Sequence, residues 1–484
     1  MNIKKLGLLA GPLLFVLILL FFKPESLSQK GIATLAAAVW IGTWWITEAI
    51  PIAVTALLPL VLFPILGIMD IKHASNALAN PMIFLFLGGF IIAAAIEKTN
   101  LHKRIALTII SRLGTQWNKV ILGFMIATAF LSMWISNTAT AVMMLPIGIA
   151  VITQINVTED LKKSMGQSLM FAIAYGCSIG GIATIIGTPT NVIFVGIIEE
   201  QYNTTISFTQ WLSIGLPFTI IMLIIAWLYL TKSAFPSSQL EIPGGQKTIK
   251  KELHSLGKIT YEEKSVLVLF VAVALSWISS SFLLKKIIPG INDTVIAIIG
   301  AICLFIIPSK NNKKIGIINW ETAQKIPWGI LLLFGGGLAL AEGFKISGLA
   351  NWLGNQMNLF DQLPLFVLIL ILVTIVNFLT EITSNVATAA MLMPVLAALA
   401  ISIDTHPYLL MIAATIAASC AFMLPVATPP NAVIFGSGLI NIPKMAKVGL
   451  WMNLCSILLI SIIVYFLLPW LWNIDIQTVP ELFK

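Results

Sequence analysis

Two short polar runs interrupt long apolar segments of this 484-residue chain, Ser-Asn-Thr at 136–138 and Ser-Asn-Val at 384–386. Serine and asparagine side chains hydrogen-bond the nearby backbone and end helices, and their hydroxyl and amide groups can contact both anions and cations. Because an unpaired backbone group is costly in lipid, neither run can face the bilayer core. Both runs are therefore predicted to face something other than lipid.

The two runs belong to an internal repeat. A shift of 248 positions aligns them with each other and also aligns Pro146 with Pro394. A second pair of interruptions, Gly-Thr-Pro at 187–189 and Ala-Thr-Pro at 427–429, follows at a shift of 240. Interrupted apolar segments in corresponding places of two halves indicate a secondary transporter with its site near the bilayer midplane. The competing interpretation, simple kinks in packed helices, accounts poorly for four matched interruptions.

The composition is that of an integral membrane protein, since 58% of the residues are hydrophobic, 10% are charged and the mean hydropathy is +0.98. The net charge of +8 does not indicate nucleic-acid binding, because the basic residues lie in loops between apolar segments. The four cysteines and four histidines are scattered singly, so neither a metal centre nor a catalytic constellation is expected. An enzyme is therefore not expected.

The apolar segments predict an all-α polytopic membrane protein of two inverted-topology repeats, with about eleven transmembrane helices and two re-entrant hairpins. The first half, 1–231, has a hairpin at 119–156 and a broken helix at 166–200. A polar stretch at 232–263 is a cytoplasmic linker. The second half, 264–484, has a hairpin at 363–402 and a broken helix at 408–442. The remaining predicted spans are 6–22, 31–46, 52–69, 80–97, 208–231, 264–284, 292–307, 327–344 and 449–472.

The basic residues predict the orientation. With a cytoplasmic N-terminus, 21 of the 28 lysine and arginine residues fall inside, as the positive-inside rule requires. One hairpin then enters from the cytoplasm and the other from the exterior, the C-terminus is outside, and the expected location is the bacterial plasma membrane. The segment 101–114, with apolar residues at helical spacing, predicts a helix along the cytoplasmic interface. This helix and its counterpart at 348–359 either link a fixed part to a moving part or simply connect spans.

The chemistry of the four interruptions suits ions of both signs. A helix that stops inside a membrane presents N–H groups at one end and carbonyl groups at the other. No lysine or arginine lies in any of the four loops, so a bound anion would lack a permanent counter-charge. Mobile cations bound with the anion would supply that charge. Hydroxyl, amide and carbonyl oxygens suit a hard cation such as Na⁺.

These motifs resemble those of the divalent anion:sodium symporter family, which moves dicarboxylates, citrate or sulfate. The resemblance rests on the two Ser-Asn runs, on the Thr-Pro loops followed by Asn191 and Asn431, on Trp-Trp-Ile-Thr-Glu-Ala-Ile-Pro at 44–51 and on the stretch 418–427. It covers nearly the whole chain. The resemblance implies a homodimer surrounded by membrane lipid, in which a scaffold part holds the dimer and a transport part moves as an elevator.

The resemblance also implies the roles of particular residues. One sodium site would use Ser132, Ser136, Asn137 and Gly187, and the other Thr380, Thr383, Asn385 and Ala427. Substrate carboxylates would meet Asn137 and Thr138 on one side and Ser384 and Asn385 on the other, with Thr188, Thr428 and Pro429 lining the pocket. The expected function is Na⁺-coupled import of a C4 dicarboxylate such as succinate, fumarate or malate.

Val386 departs from the pattern of many dicarboxylate carriers, which have threonine there. Because valine cannot donate a hydrogen bond to a carboxylate, a Na⁺-coupled citrate transporter, carrying a tricarboxylate, stays open as an alternative. A Na⁺-independent dicarboxylate exchanger is the other alternative within the family, and a channel is disfavoured by the repeats. Glu381 lies beside the second run and either tunes cation binding or is structural. For Glu48 and Glu342 a structural role is favoured over a proton relay.

Overall fold

The computed structural model describes residues 3–155, 157–236, 243–310, 316–356, 363–476 and 478–483. Within these ranges the regular secondary structure is helical, and an isolated antiparallel β-bridge joins Pro308 and Gly316. The predicted all-α fold is confirmed. The predicted linker at 232–263 and the interfacial segment at 348–359 lie partly outside the described residues.

The described part of the first half contains twelve helices. They are α1 (Ile3–Phe21), α2 (Gln29–Thr47), α3 (Ile52–Thr55), α4 (Leu58–Ile65), α5 (Ile71–Asn76), α6 (Pro81–Lys98), α7 (Leu101–Ser111), α8 (Trp117–Ser132), α9 (Asn137–Thr153), α10 (Glu159–Ile182), α11 (Pro189–Tyr202) and α12 (Phe208–Leu228). Short 3₁₀ turns at Ala77–Ala79 and Ile185–Gly187 and a π-helical turn at Tyr229–Ala234 complete it.

The described part of the linker and of the second half contains thirteen more helices. They are α13 (Pro243–Ser255), α14 (Tyr261–Ser279), α15 (Lys285–Ile287), α16 (Asp293–Ile306), α17 (Trp320–Ala323), α18 (Trp328–Ile346), α19 (Leu349–Gln356), α20 (Leu365–Thr380), α21 (Asn385–Ser402), α22 (Pro407–Ser419), α23 (Pro429–Phe435), α24 (Ile442–Ile462) and α25 (Leu468–Trp472). Ser280–Leu284 and Ile463–Leu467 are π-helical, and Glu481–Phe483 is a 3₁₀ turn.

Eight helical segments of the described chain are long and apolar enough to cross a membrane. They are Ile3–Phe21, Ile71–Lys98, Glu159–Ile182, Phe208–Ala234, Tyr261–Ile287, Trp328–Ile346, Asn385–Ser402 and Ile442–Trp472. Six shorter apolar helical segments accompany them, among them α8, α9 and α20 of the hairpins. Each predicted span coincides with a helix or helix pair, although α2, at the predicted span 31–46, is not among these fourteen segments.

All four predicted interruptions are breaks between helices. In the two hairpins, α8 ends at Ser132 before α9 begins at Asn137, and α20 ends at Thr380 before α21 begins at Asn385. The other two breaks separate α10 from α11 and α22 from α23, and Pro189 and Pro429 open the second helix of each pair. Proline suits a first helical position because the N–H that it lacks would have no intrahelical partner.

The two halves interlock at these breaks. Within each half the hairpin packs on the broken helix, α8 and α9 against α10 and α20 and α21 against α22. Across the halves, α11 contacts α21 of the second hairpin, while α23 contacts α9 of the first. Residues of α10 and α22 are almost entirely buried, so these helices form the centre of the molecule.

The linker contains a helix that its composition did not predict. Helix α13 packs against α7, the predicted interfacial helix, and against α9 of the first hairpin. Arg104 of α7 holds the chain that follows α13, since its guanidinium donates to the backbone carbonyls of Leu256 and Gly257 at 3.2 and 3.0 Å. The same guanidinium forms an ion pair with Glu263 of α14 at 2.9 Å. Arg104 thus fixes the start of the second half to the first.

Candidate functional site

The first half-site is built around the break between α8 and α9. The hydroxyl of Ser132 lies 2.6 Å from Asn137 Oδ1 and 2.8 Å from the backbone carbonyl of Cys177 in α10. One hydroxyl proton thus faces two acceptors, and it can be donated to only one of them. Ser136 is the N-cap of α9, where its Oγ accepts from the Ala139 N–H at 3.2 Å.

The second half-site repeats this arrangement with the matching residues. The hydroxyl of Thr380 lies 2.6 Å from Asn385 Oδ1 and 2.9 Å from the backbone carbonyl of Ala418 in α22. Thr383 does not join this group, because its Oγ1 lies 2.8 Å from the Leu379 carbonyl and 2.7 Å from Thr388 Oγ1. Both half-sites therefore bring together a hydroxyl, an amide oxygen and a helix carbonyl.

Glycine shapes the first half-site. A Cβ placed on Gly181 would lie 2.7 Å from Asn137 Oδ1 and 3.1 Å from the backbone carbonyl of Gly187. The predicted cation ligands Asn137 and Gly187 therefore converge over the bare Cα of Gly181. A Cβ on Gly187 would in turn collide with the Gly181 carbonyl. The matching positions of the second half are Ala421 and Ala427, so the second half-site accommodates methyl groups where the first has none.

Two buried asparagines brace the loops of the broken helices, and sequence reasoning gave them no role. Asn191 Nδ2 donates to the carbonyls of Thr184 and Gly181 at 2.8 and 3.3 Å. Asn431 Nδ2 donates to the matching carbonyls of Leu424 and Ala421 at 3.1 and 3.2 Å. Both side chains are fully buried. The signal was their shared place after the Thr-Pro pair in both repeats.

The remaining predicted substrate residues differ in their access. Thr138 and Pro429 are exposed, and Asn137, Ser384 and Asn385 are half-buried. Thr188 and Thr428 are buried: Thr188 Oγ1 lies 3.4 Å from Thr190 Oγ1, and Thr428 Oγ1 accepts from the Asn431 N–H at 3.4 Å. These two threonines order the starts of α11 and α23.

Val386 faces apolar neighbours. Its side chain lines a small pocket together with Pro189 of α11, Phe86 of α6 and Phe334 of α18. The third position of the second run, in α21, therefore faces α6, α11 and α18. This surrounding suits a valine methyl group better than a hydroxyl.

A cavity of about 780 Å³ adjoins the first half-site. Ala139 and Thr140 of α9 line one side, and the other side is lined by polar and charged residues, Glu97, Asn100, His102, Lys103 and Glu252. Burial lowers the pKa of His102, so the imidazole is neutral near pH 7. The volume is in the range of small-molecule sites, and the wall combines one lysine with two carboxyl groups, so its charge does not select for an anion.

Comparison with known proteins gives one consistent picture. The family model described as "Sodium:sulfate symporter transmembrane region" matches residues 3–474. A sodium-dependent dicarboxylate transporter, SdcS, of Staphylococcus saprophyticus is 50% identical over 484 residues, which is 98% of this chain and 93% of the relative. SdcS of Staphylococcus aureus strain MRSA252 is 49% identical over 481 residues, 98% of this chain and 92% of the relative.

Two solved structures have the same overall fold. MtrF of Neisseria gonorrhoeae, described as one of a class of antimetabolite efflux pumps, aligns with a TM-score of 0.60 at 13% identity and covers 96% of both chains. The YdaH transporter of Alcanivorax borkumensis aligns with a TM-score of 0.61 at 14% identity and covers 97% of both chains. At these identities the likeness concerns the fold alone.

Proposed function

The chain belongs to the family of the sodium:sulfate symporter transmembrane region, a family of membrane transporters and not of enzymes, and we propose that it couples the import of a C4 dicarboxylate to Na⁺. The name of the relatives in Staphylococcus supports both the ion and the substrate class. Succinate, fumarate and malate are the proposed substrates.

One observation carries this proposal. Each half-site brings together a hydroxyl, an amide oxygen and a backbone carbonyl, and only the hydroxyl has a proton to donate. Ser132 Oγ and Thr380 Oγ1 each lie within 3 Å of an amide oxygen and a backbone carbonyl. A hard monovalent cation would satisfy such oxygens. We assign the first Na⁺ to Ser132, Ser136, Asn137 and Gly187, and the second to Thr380, Thr383, Asn385 and Ala427. Among these, Ser136 and Thr383 would contribute through their backbone carbonyls, because their hydroxyls have other partners.

The substrate then binds between the two cations. The amides of Asn137 and Asn385 each keep a donor, Nδ2, for a carboxylate oxygen, and the hydroxyls of Thr138 and Ser384 add two more. Thr188, Thr428 and Pro429 complete the pocket. Two sodium ions balance the two charges of a dicarboxylate, which lets the dianion enter a site without lysine or arginine.

The inverted halves suit an elevator mechanism in a homodimer. The hairpins and broken helices would form the transport part, and the helices α7 and α19 would join it to the scaffold. The proposed location is the plasma membrane with the N-terminus in the cytoplasm and the C-terminus outside.

The test is uptake of labelled succinate into proteoliposomes under an inward Na⁺ gradient, compared with K⁺ in place of Na⁺ and with succinate preloaded inside. We expect uptake that requires external Na⁺ and no internal substrate. Uptake that requires preloading and ignores Na⁺ would make the protein an exchanger. Competition by unlabelled citrate, malate and sulfate ranks the substrates, and stronger competition by citrate than by succinate would replace the dicarboxylate assignment.

A further inference from the structure

A buried carboxylate lies beside the second half-site and has no counterpart in the first. Glu381 follows Thr380 directly in the chain and is 3% exposed. Its repeat counterpart, 248 positions earlier, is Met133. The functional assignment above uses neither residue, although a full negative charge inside a membrane protein is costly and calls for a role.

The Glu381 carboxylate accepts hydrogen bonds from the loop between α22 and α23. Its Oε1 accepts from the backbone N–H groups of Phe422 and Met423 at 2.7 and 3.0 Å, and its Oε2 accepts from the N–H of Leu424 at 3.0 Å. The side-chain amide of Asn453 in α24 donates a fourth hydrogen bond to Oε1 at 2.8 Å. Three consecutive backbone N–H groups thus form a concave anion site around one carboxylate.

These contacts are those of an ionised carboxylate. All four partners are N–H groups that can only donate, so a proton on the carboxyl group would find no acceptor among them. None of the ion pairs found among the described residues includes Glu381. The charge is therefore stabilised by N–H dipoles and is not paired with a basic side chain among the described residues.

The loop between α22 and α23 also contains Ala427, one of the proposed cation ligands of the second half-site. Leu424, whose N–H binds Glu381, accepts with its carbonyl from the Ala427 N–H at 3.2 Å and from Asn431 Nδ2 at 3.1 Å. On the other side, Thr380 is the neighbour of Glu381 and contacts Asn385 Oδ1. The carboxylate is thus linked to the second half-site in two ways. One link runs through the Leu424 backbone to Ala427, and the other runs through the adjacent residue Thr380 to Asn385.

The first half connects its hairpin to the loop of its broken helix through uncharged groups. The backbone carbonyl of Met133 accepts from Thr184 Oγ1 of the first loop at 2.6 Å. Thr184 matches Leu424, so a neutral hydrogen bond in one half stands where the carboxylate stands in the other. Thr219 of α12, which donates to the Ile179 carbonyl at 3.1 Å, similarly holds the first broken helix through a neutral group.

We propose that Glu381 is a fixed counter-charge and positioning residue for the cation of the second half-site, which therefore binds Na⁺ more tightly than the first half-site and fills before it. This inference rests on the proposed function, because it concerns the order and affinity of the two sodium ions. A negative charge on the residue next to a cation ligand, in a poorly solvated site, strengthens cation binding, whereas Met133 has no charge to contribute.

The test compares Glu381→Gln with Glu381→Asp, and Glu342→Gln serves as the control that removes a different half-buried carboxylate. Two quantities are measured as Na⁺ is varied: uptake of succinate, and the Na⁺-dependent rise in melting temperature of purified protein without substrate. Glutamine lacks the charge and retains one acceptor oxygen for the loop, while its NH₂ group replaces the second acceptor, so the aspartate variant controls for disturbed loop contacts. We expect Glu381→Gln to raise the half-saturating Na⁺ concentration about tenfold in both measurements. The KM for succinate at saturating Na⁺ should stay within about twofold.

The aspartate variant keeps the charge with a shorter reach, so its maximal rate should fall while its half-saturating Na⁺ concentration stays within about threefold of the unaltered protein. This expectation holds even if the glutamine variant does not fold. Glu342→Gln should leave Na⁺ dependence unchanged. Unchanged Na⁺ dependence in Glu381→Gln, or a tenfold rise in Glu381→Asp, would overturn this inference alone. Absence of any Na⁺ effect on the unaltered protein would overturn the proposed function as well.

Discussion

The two half-sites use the same oxygen atoms and different supports. In each, the hydroxyl of the last residue before the break lies 2.6 Å from the asparagine that opens the next helix. In the first half-site this pair packs over the bare Cα of Gly181, whereas the second has Ala421 at the matching place. The second half-site also has a carboxylate, Glu381, hydrogen-bonded to its loop. The two half-sites therefore share their proposed ligand atoms but differ in the residues that hold those atoms in place. Substitutions can address the ligand atoms and the surrounding residues separately.

The largest effect is expected where the halves agree. Replacing Asn137 or Asn385 by alanine removes an amide that contacts both the proposed cation and the substrate, and hydrogen bonds to charged groups are worth about 1.5–3 kcal/mol each. We expect either variant to lower succinate uptake about 100-fold. Gln154→Ala, at the exposed end of the first hairpin, is the control for expression and folding. Near-normal uptake in both asparagine variants would refute the site assignment.

A smaller effect is expected from the matched hydroxyls. Ser132→Ala and Thr380→Ala each delete one proposed ligand, which should raise the half-saturating Na⁺ concentration about tenfold. Because the two residues belong to different half-sites, the double variant should show the sum of the two free-energy changes. The measurement is the Na⁺ dependence of uptake in all three variants. A double variant no worse than the single ones would mean that both hydroxyls serve one ion.

The supports differ, and the next substitutions exploit that difference. Gly181→Ala places a methyl group 2.7 Å from Asn137 Oδ1 and should cost about 1–3 kcal/mol of stability while lowering uptake. Its mirror image, Ala421→Gly, removes a methyl group that the second half-site already accommodates and should retain uptake. Thermal unfolding and uptake are measured for both. Equal losses in the two variants would show that the half-sites are more alike than their glycines indicate.

The smallest effect is expected at the third position of the second run. Val386→Thr places a hydroxyl in an apolar pocket with Phe86 and Pro189, at a cost of about 1–3 kcal/mol if it finds no partner. We expect stability to fall slightly and the ratio of succinate to citrate uptake to change less than about threefold, since the side chain faces its neighbours and not the paired asparagines. A large shift in that ratio would make Val386 a substrate contact.

The sequence predicted what depends on local pattern. The four breaks and the apolar helices follow from residue types that end helices and from period and length, and the helices begin and end within seven residues of the predicted bounds. The pairing of Ser132 with Asn137 and of Thr380 with Asn385 agrees with ligand sets that came from the family resemblance. Their hydrogen bonds to α10 and α22 required the structure.

Contacts between distant segments could not be predicted in this way. Asn431 reaches back to Leu424, Glu381 reaches forward to three N–H groups, and Arg104 reaches across the linker to Glu263. Each depends on which segments the fold brings together, and a single sequence taken by itself carries no signal for that. Helix α13 was missed for another reason, since a polar stretch with two glycines at its start has the composition of a connector.

The interlocking of the halves has a consequence for biosynthesis. Helix α9 is contacted by α23, and α11 by α21, so the first half cannot complete its packing from its own residues. A ribosome adding about 5–20 residues per second takes tens of seconds to pass from the end of α9 to Pro429. During that interval the Asn137 contacts with Ser132 and Gly181 can form within the first half, but the face of α9 that packs on α23 stays uncovered. Newly made chains therefore keep an incomplete helix packing beside the first break until the second half arrives.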